Sequence, residues 1–165
     1  MKLHTAMAMS RFSLLALCMS WHLLVHAADA LPRHLTGTWG TAESLYAGAT
    51  GQTELLLLAD GFGAMQGSTP PATRIDGSDD GKVAPRAIIG FPLRATADGD
   101  TITAKPFLPG GQQAEKMARI TISCRYEQAG PTLTCLGPSG DLMVMSRRSD
   151  TVAPEAAKMI EALRP

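Results

Sequence analysis

The chain has 165 residues, of which 45% are hydrophobic and 18% are charged. This composition suits one globular domain and is too apolar for a disordered chain. Fifteen basic and fifteen acidic residues cancel, so the charge predicts no surface for nucleic acid or for an anionic membrane. Asparagine is absent and Arg outnumbers Lys, a bias typical of GC-rich bacterial genomes.

Residues 1–27 have the pattern of a secretory signal. Lys2 and Arg11 provide its basic part, and residues 14–25 provide an apolar run that is too short to span a bilayer as a helix. Small residues permit cleavage after Ala27 or after Ala30. An uncleaved membrane anchor is the alternative interpretation. The signal predicts a periplasmic or secreted protein with no membrane span after cleavage.

Cleavage would remove Cys18 and leave Cys124 and Cys135 in an oxidising compartment. Lipid attachment at Cys18 is disfavoured, because Leu17 stands where a small residue is expected. Two cysteines and one distant histidine, His34, do not complete a zinc site. We therefore expect no metal, and either a disulfide or two buried thiols.

The part of the chain after the signal alternates short apolar runs with turn signals about every ten residues, which is typical of an antiparallel meander. Asp60-Gly61 favours a two-residue type I′ hairpin. Pro92 and Pro106 predict a bulge or an edge, since proline cannot donate to a strand ladder. The eight predicted strands span residues 36–46, 52–59, 62–67, 86–96, 100–107, 116–127, 131–137 and 140–148.

Turn positions also predict strand register. A turn at residues 129–130 places Cys124 opposite Cys135 and Tyr126 opposite Leu133. A turn at residues 139–140 then places Cys135 opposite Val144. Opposed strand residues can form a disulfide, so the register favours a bond between Cys124 and Cys135.

Two segments interrupt the meander. Residues 67–85 form a polar connection of a length that is usually functional or disordered. Residues 154–163 have the apolar spacing of a helix, with Pro154 in the first turn. The predicted organisation is a signal over 1–27, an all-β domain over 28–150, and a C-terminal helix over 151–165 that packs on the outside of the barrel.

Gly37-Thr38-Trp39 on the first strand and Arg147-Arg148 at the end of the last resemble the calycin group, which includes lipocalins, avidins and bacterial protease-inhibitor barrels. The resemblance implies an eight-stranded antiparallel up-and-down barrel. It also implies that Trp39 packs against Arg147 or Arg148 at the closed end.

This sequence departs from each calycin subgroup. It lacks the second turn motif of lipocalins, and it lacks the further tryptophans with which avidins line a biotin pocket. The protease-inhibitor barrels act through a free N-terminal arm, which residues 31–34 could provide.

Catalysis is not predicted, and neither is a cofactor. His34 has no acidic partner nearby in sequence, as a Ser-His-Asp arrangement would need. Residues 76–81 resemble half of a calcium loop, but Ala87 occupies the position of the bidentate acid.

Any binding site is expected at the open end of the barrel, away from Trp39. We predict that the connections 46–52, 67–85, 96–100 and 127–131 share that rim. Small apolar ligands suit pockets of this kind, so the first expected function is an exported, monomeric, lipocalin-like binding protein. The alternative is an inhibitor or immunity-type protein that binds a partner protein through its loops or its N-terminal arm. The predicted binding residues are Tyr46, Arg74, Asp76, Asp79, Asp80, Lys82 and Phe91.

Overall fold

Eight antiparallel strands, each paired with its neighbour in sequence, close into one barrel. The computed structural model describes residues 30–73, 84–109, 115–137 and 139–165, so the predicted signal lies outside the described residues. The predicted all-β barrel with a C-terminal helix is confirmed. The strands are β1 (Gly37–Gly40), β2 (Thr53–Leu57), β3 (Phe62–Ser68), β4 (Ile88–Asp98), β5 (Thr101–Pro106), β6 (Ile122–Glu127), β7 (Thr132–Leu136) and β8 (Leu142–Ser149).

Two strands are shorter than predicted. β1 ends at Gly40 rather than at residue 46, and β6 begins at Ile122 rather than at residue 116. Helix α1 (Glu115–Ala118) occupies the start of the predicted sixth strand. The sequence of α1 combines good helix formers with an acidic residue in the first turn. Helix propensity therefore outweighs the apolar alternation at residues 116–118, and the predicted start of the sixth strand is wrong.

The predicted register between β6 and β7 is confirmed, because Cys124 pairs with Cys135 and Tyr126 with Leu133. The predicted register between β7 and β8 is wrong by one residue, because Cys135 pairs with Met143 rather than with Val144. Gly137 N–H donates to Asp141 O at 3.0 Å, so the turn contains three residues rather than two. A register shift of one residue moves every side chain of a strand to the opposite face.

The turn between β2 and β3 also differs from the prediction. Leu57 pairs with Gly63, and Leu58 N–H donates to Phe62 O, so three residues (59–61) form the loop. Gly61 has φ of +83°, and no non-glycine residue of the described chain has positive φ. A type I′ turn needs positive φ at both central residues, so Asp60-Gly61 does not form one.

Both strand prolines lie where a ladder ends. Pro106 is the last residue of β5 and pairs only with Leu93 of β4, since the β5–β6 pairing stops at Ala104. Pro92 pairs with Ala64 of β3 on one side. On the other side, the described β4–β5 pairing begins only at Leu93, so Pro92 has no β5 partner. The predicted edge positions are confirmed for both.

Helix α2 (Pro154–Ala162) packs on the outside of β2 and β3. Its Ile160 is fully buried against Leu56 and Ala64, whose side chains point away from the barrel interior. Arg164 follows the helix, with its guanidinium 2.5 Å from the Asp60 carboxylate and 4.3 Å from the Phe62 ring centre. Within the described ranges, no helix has both the length and the apolarity to cross a membrane.

The interior is filled by the inward faces of all eight strands. Its members are fully or almost fully buried: Trp39, Leu55, Leu57, Met65, Leu93, Ala95, Ile102, Ala104, Ile122, Cys124, Leu133, Cys135 and Met145. The disulfide between Cys124 and Cys135, with Sγ atoms 2.03 Å apart, lies within this core.

Candidate functional site

Trp39 and Arg147 form the closed end of the barrel. Trp39 is 0% exposed, and its indole Nε1 donates to Leu35 O at 3.1 Å. The Arg147 guanidinium lies 4.1 Å from the indole ring centre and donates to Thr36 O at 2.8 Å and to His34 O. Arg147 is therefore the arginine that stacks on the tryptophan.

Arg148 lies instead on the outer face of the sheet, away from the barrel interior. Its guanidinium covers Gly40, where a Cβ atom would come within 2.1 Å of the Arg148 Cζ. Its Nη1 is 2.5 Å from the Glu54 carboxylate, and both side chains are mostly buried. Its Nε and Nη2 are buried without a hydrogen-bond partner in the part of the chain that the structure describes.

The N-terminal segment 31–35 is part of the floor. Leu31 and Leu35 are buried in the main core, and Leu31 N–H donates to Ala59 O at 2.8 Å. The predicted free N-terminal arm at residues 31–34 is therefore wrong. The two leucines fill the lower opening of the barrel, where apolar burial favours a docked segment over an exposed one.

Two turns lie at the end opposite to the predicted one. The β4–β5 turn holds Asp100, whose Oδ1 is 2.9 Å from His34 Nε2, and Tyr126, next to the β6–β7 turn, packs edge-on against Trp39 at 5.9 Å. Both turns are thus on the Trp39 side. Successive connections alternate between the two ends, so the predicted placement of the 96–100 and 127–131 turns at the open rim is wrong.

An open cleft of about 520 Å³ adjoins this floor. It is lined by Arg33, His34, Tyr126, Arg147 and Asp150. Asp150 is engaged with Arg147 at 3.1 Å, and His34 is engaged with Asp100. The histidine thus has an acidic partner 66 residues away, which local sequence could not reveal. Because both side chains are substantially exposed, this pair has little energetic weight.

Only two of the predicted binding residues belong to the described chain. Tyr46 is 58% exposed on the β1–β2 connection, and Phe91 is partly buried against the upper part of the core. Both lie at the open end, as predicted. The other five lie outside the described residues: Arg74, Asp76, Asp79, Asp80 and Lys82.

Arg86 organises the open end, and sequence reasoning missed it. Its guanidinium donates to four backbone oxygens: Thr50 O at 2.6 Å, Thr69 O at 3.1 Å, Ala47 O at 3.3 Å, and Gly48 O. These oxygens belong to the connections before β2 and after β3. One side chain therefore ties two rim loops together, although no local motif marks an arginine for this role.

Most exposed large apolar side chains of the described residues lie at the open end or on the adjoining half of β8. Only Met159, on helix α2, lies elsewhere. The others are Tyr46, Ile88, Ile89, Leu136, Leu142 and Val144. Leu136, Leu142 and Val144 lie on the paired strands β7 and β8, and adjoining exposed apolar side chains mark interaction surfaces.

Among the described residues, no group of three or more His, Cys, Asp or Glu side chains could hold a metal ion. Comparisons with protein-family models, with curated proteins and with solved structures found no match.

Proposed function

We propose that the protein is an exported, monomeric, calycin-like barrel that binds a partner protein through its open end. The observation that supports this most directly is the filled interior. Leu55, Leu93, Ile102, Leu133 and Met145 have no exposed surface. Even the small inward residues Ala95 and Ala104 are fully buried, so no water-sized space adjoins them. A ligand pocket usually encloses hundreds of Å³, and no such space adjoins these core residues of the described chain.

The rim supports the same proposal. Arg86 holds the 46–50 and 69–73 segments together through carbonyl contacts, and Tyr46 projects from the first of them. Loops held on a rigid scaffold commonly carry binding residues. An exposed tyrosine is also a frequent anchor in protein interfaces.

Export is supported by the core disulfide, since disulfides persist in oxidising compartments. Because the N-terminal segment closes the floor, the proposed contact uses the rim rather than an arm. An inhibitor or an immunity protein would need only this rim surface to bind its partner.

A small apolar ligand at the mouth is the second candidate. Phe91 and Met143 face inward above the filled core and are only partly buried, and Ile89, on the same face of β4 as Phe91, is largely exposed. These side chains would form the apolar walls of a shallow site rather than of a deep barrel cavity.

Two measurements test the proposal. A photo-cross-linking residue at Tyr46, introduced in the exporting bacterium, should give a discrete protein adduct. The same residue at Lys158, exposed on α2, should give none. Native mass spectrometry of the purified protein should show the bare chain. A co-purifying lipid-sized mass, with no adduct at Tyr46, would favour the second candidate and overturn the first.

A further inference from the structure

The seam that closes the barrel covers only part of β8. β1 pairs with β8 from Thr38 opposite Ser149 to Gly40 opposite Ser146. Beyond Gly40 the chain leaves the sheet, while β8 extends back to Leu142 and remains paired with β7. Residues 142–145 therefore have a strand on one side, and none of the described strands pairs with them on the other.

The hydrogen-bond direction shows which backbone groups this edge presents. Arg147 N–H donates to Pro131 O, and Gly137 N–H donates to Asp141 O, so odd-numbered residues of β8 bond to β7. In an antiparallel ladder, alternate residues direct their N–H and C=O groups to opposite sides. Leu142 and Val144 consequently direct theirs toward the side on which none of the described strands pairs with them.

The edge also lacks the features that natural sheets use to prevent pairing. Exposed edges are usually protected by charged side chains, proline or a bulge. Residues 142–145 are Leu, Met, Val and Met, and Leu142 and Val144 are 71% and 59% exposed. In contrast, the upper part of β4 has Pro92, which has no N–H, and whose carbonyl accepts a hydrogen bond from Phe107 N–H at 3.1 Å.

A cleft of about 420 Å³ lies beside Ser146, where the unpaired edge of β8 ends. It is lined by Arg148, whose Nε and Nη2 are themselves buried within the protein. Glu43 lines the same cleft, and Glu54 already neutralises Arg148. A carboxylate at this end of the edge would be repelled by Glu43, so a neutral segment fits here better than an acidic one.

We propose that an extended, largely apolar segment of a partner protein adds to β8 as an extra strand along Leu142–Met145. Its backbone pairs with Leu142 and Val144, and its apolar side chains lie beside those of the same two residues. Strand addition to an open edge is a common mode of peptide recognition. The inference rests on the proposed function and specifies where and how that partner binds.

The test uses the full-length protein in the exporting bacterium, with a photo-cross-linking residue at Leu142. The expected result is an adduct with another protein, and mass spectrometry should place the linked residue in an extended apolar segment. Val144→Pro removes the outward N–H that is not used by β7, and it should reduce the adduct at least tenfold. Val144→Thr keeps that N–H and is the matched control, so it should retain most of the adduct. Thr134→Lys, on the outer face of the neighbouring strand β7, should also retain it.

The outcomes separate the two proposals. An adduct at Tyr46 with none at Leu142 overturns strand addition and leaves the proposed function standing, whereas no adduct at either position overturns both. Strand addition by a partner protein is also overturned if Leu142 forms its adduct with a second copy of this chain. Equal adducts from Val144→Pro and Val144→Thr overturn it as well. If Val144→Pro does not fold, Val144→Lys replaces it and should also abolish the adduct, because charge blocks strand pairing at an edge.

Discussion

Arg147 lies over the indole face of Trp39, with its guanidinium carbon 4.1 Å from the ring centre. The same guanidinium donates to the carbonyl of Thr36 and to that of His34. One side chain thus connects the last strand, the buried ring and the N-terminal segment that fills the floor.

Arg147→Ala should lower the free energy of unfolding by about 2 kcal/mol, since it removes a cation–π contact and two carbonyl hydrogen bonds, each worth about 1 kcal/mol or less in net terms. Arg147→Lys should recover less than half of this loss, because an ammonium cannot stack and bond both carbonyls at once. Urea unfolding measures both variants. Wild-type stability in Arg147→Ala would show that the floor does not depend on this residue.

Trp39→Ala should cost about 3–5 kcal/mol, the usual range for truncation of a large buried aromatic side chain. The ring is fully buried and its N–H is bonded to Leu35 O, so the variant leaves both a cavity and an unpaired carbonyl. Trp39→Phe should cost clearly less. Equal midpoints in urea for wild type and Trp39→Ala would contradict the role of this ring.

Gly40→Ala should be destabilising by about 1–2 kcal/mol, because the new methyl group would displace the Arg148 guanidinium from Glu54 and leave a poorly solvated carboxylate. In an Arg148→Ala background the same change should cost less than about 0.5 kcal/mol. The double-mutant cycle isolates this coupling. Additive losses would mean that the glycine is needed for another reason.

Replacement of both Cys124 and Cys135 by alanine should cost about 3 kcal/mol, as expected for a disulfide that closes a short loop. The bonded pair has no free thiol, so thiol reagents should label neither cysteine even in the oxidised protein unfolded in urea. Reduced wild type and the double variant should unfold at similar urea concentrations. Rapid alkylation of the native protein without reductant would show that the bond is absent.

Arg86→Ala should loosen the rim without affecting the barrel. The backbone amides of residues 46–50 and 69–73 should exchange with deuterium about tenfold faster, since the loss of the partly exposed carbonyl contacts of Arg86 lowers the local opening free energy by about 1–2 kcal/mol. Exchange in β2 and β3 should be unchanged. Arg125→Ala is the control, because that side chain is largely exposed on β6. Equal exchange in both variants would contradict the proposed role of Arg86.

Local sequence determined much of the barrel. Alternation of apolar and polar residues and the spacing of turn signals predicted eight strands in sequence order. The turn near Gly130 also predicted the pairing of Cys124 with Cys135. These features depend on contacts between residues close in sequence, where side-chain period and turn chemistry act together.

Contacts between distant residues decided the rest. Which arginine stacks on Trp39 depends on a pairing between the first and last strands, and the position of Val144 depends on one extra turn residue that local composition does not specify. The partnership of His34 with Asp100, the four carbonyls around Arg86 and the open edge of β8 likewise arise only once the barrel has closed. Closure brings residues from 17 to more than 110 positions apart into contact, and no local pattern encodes which of them meet.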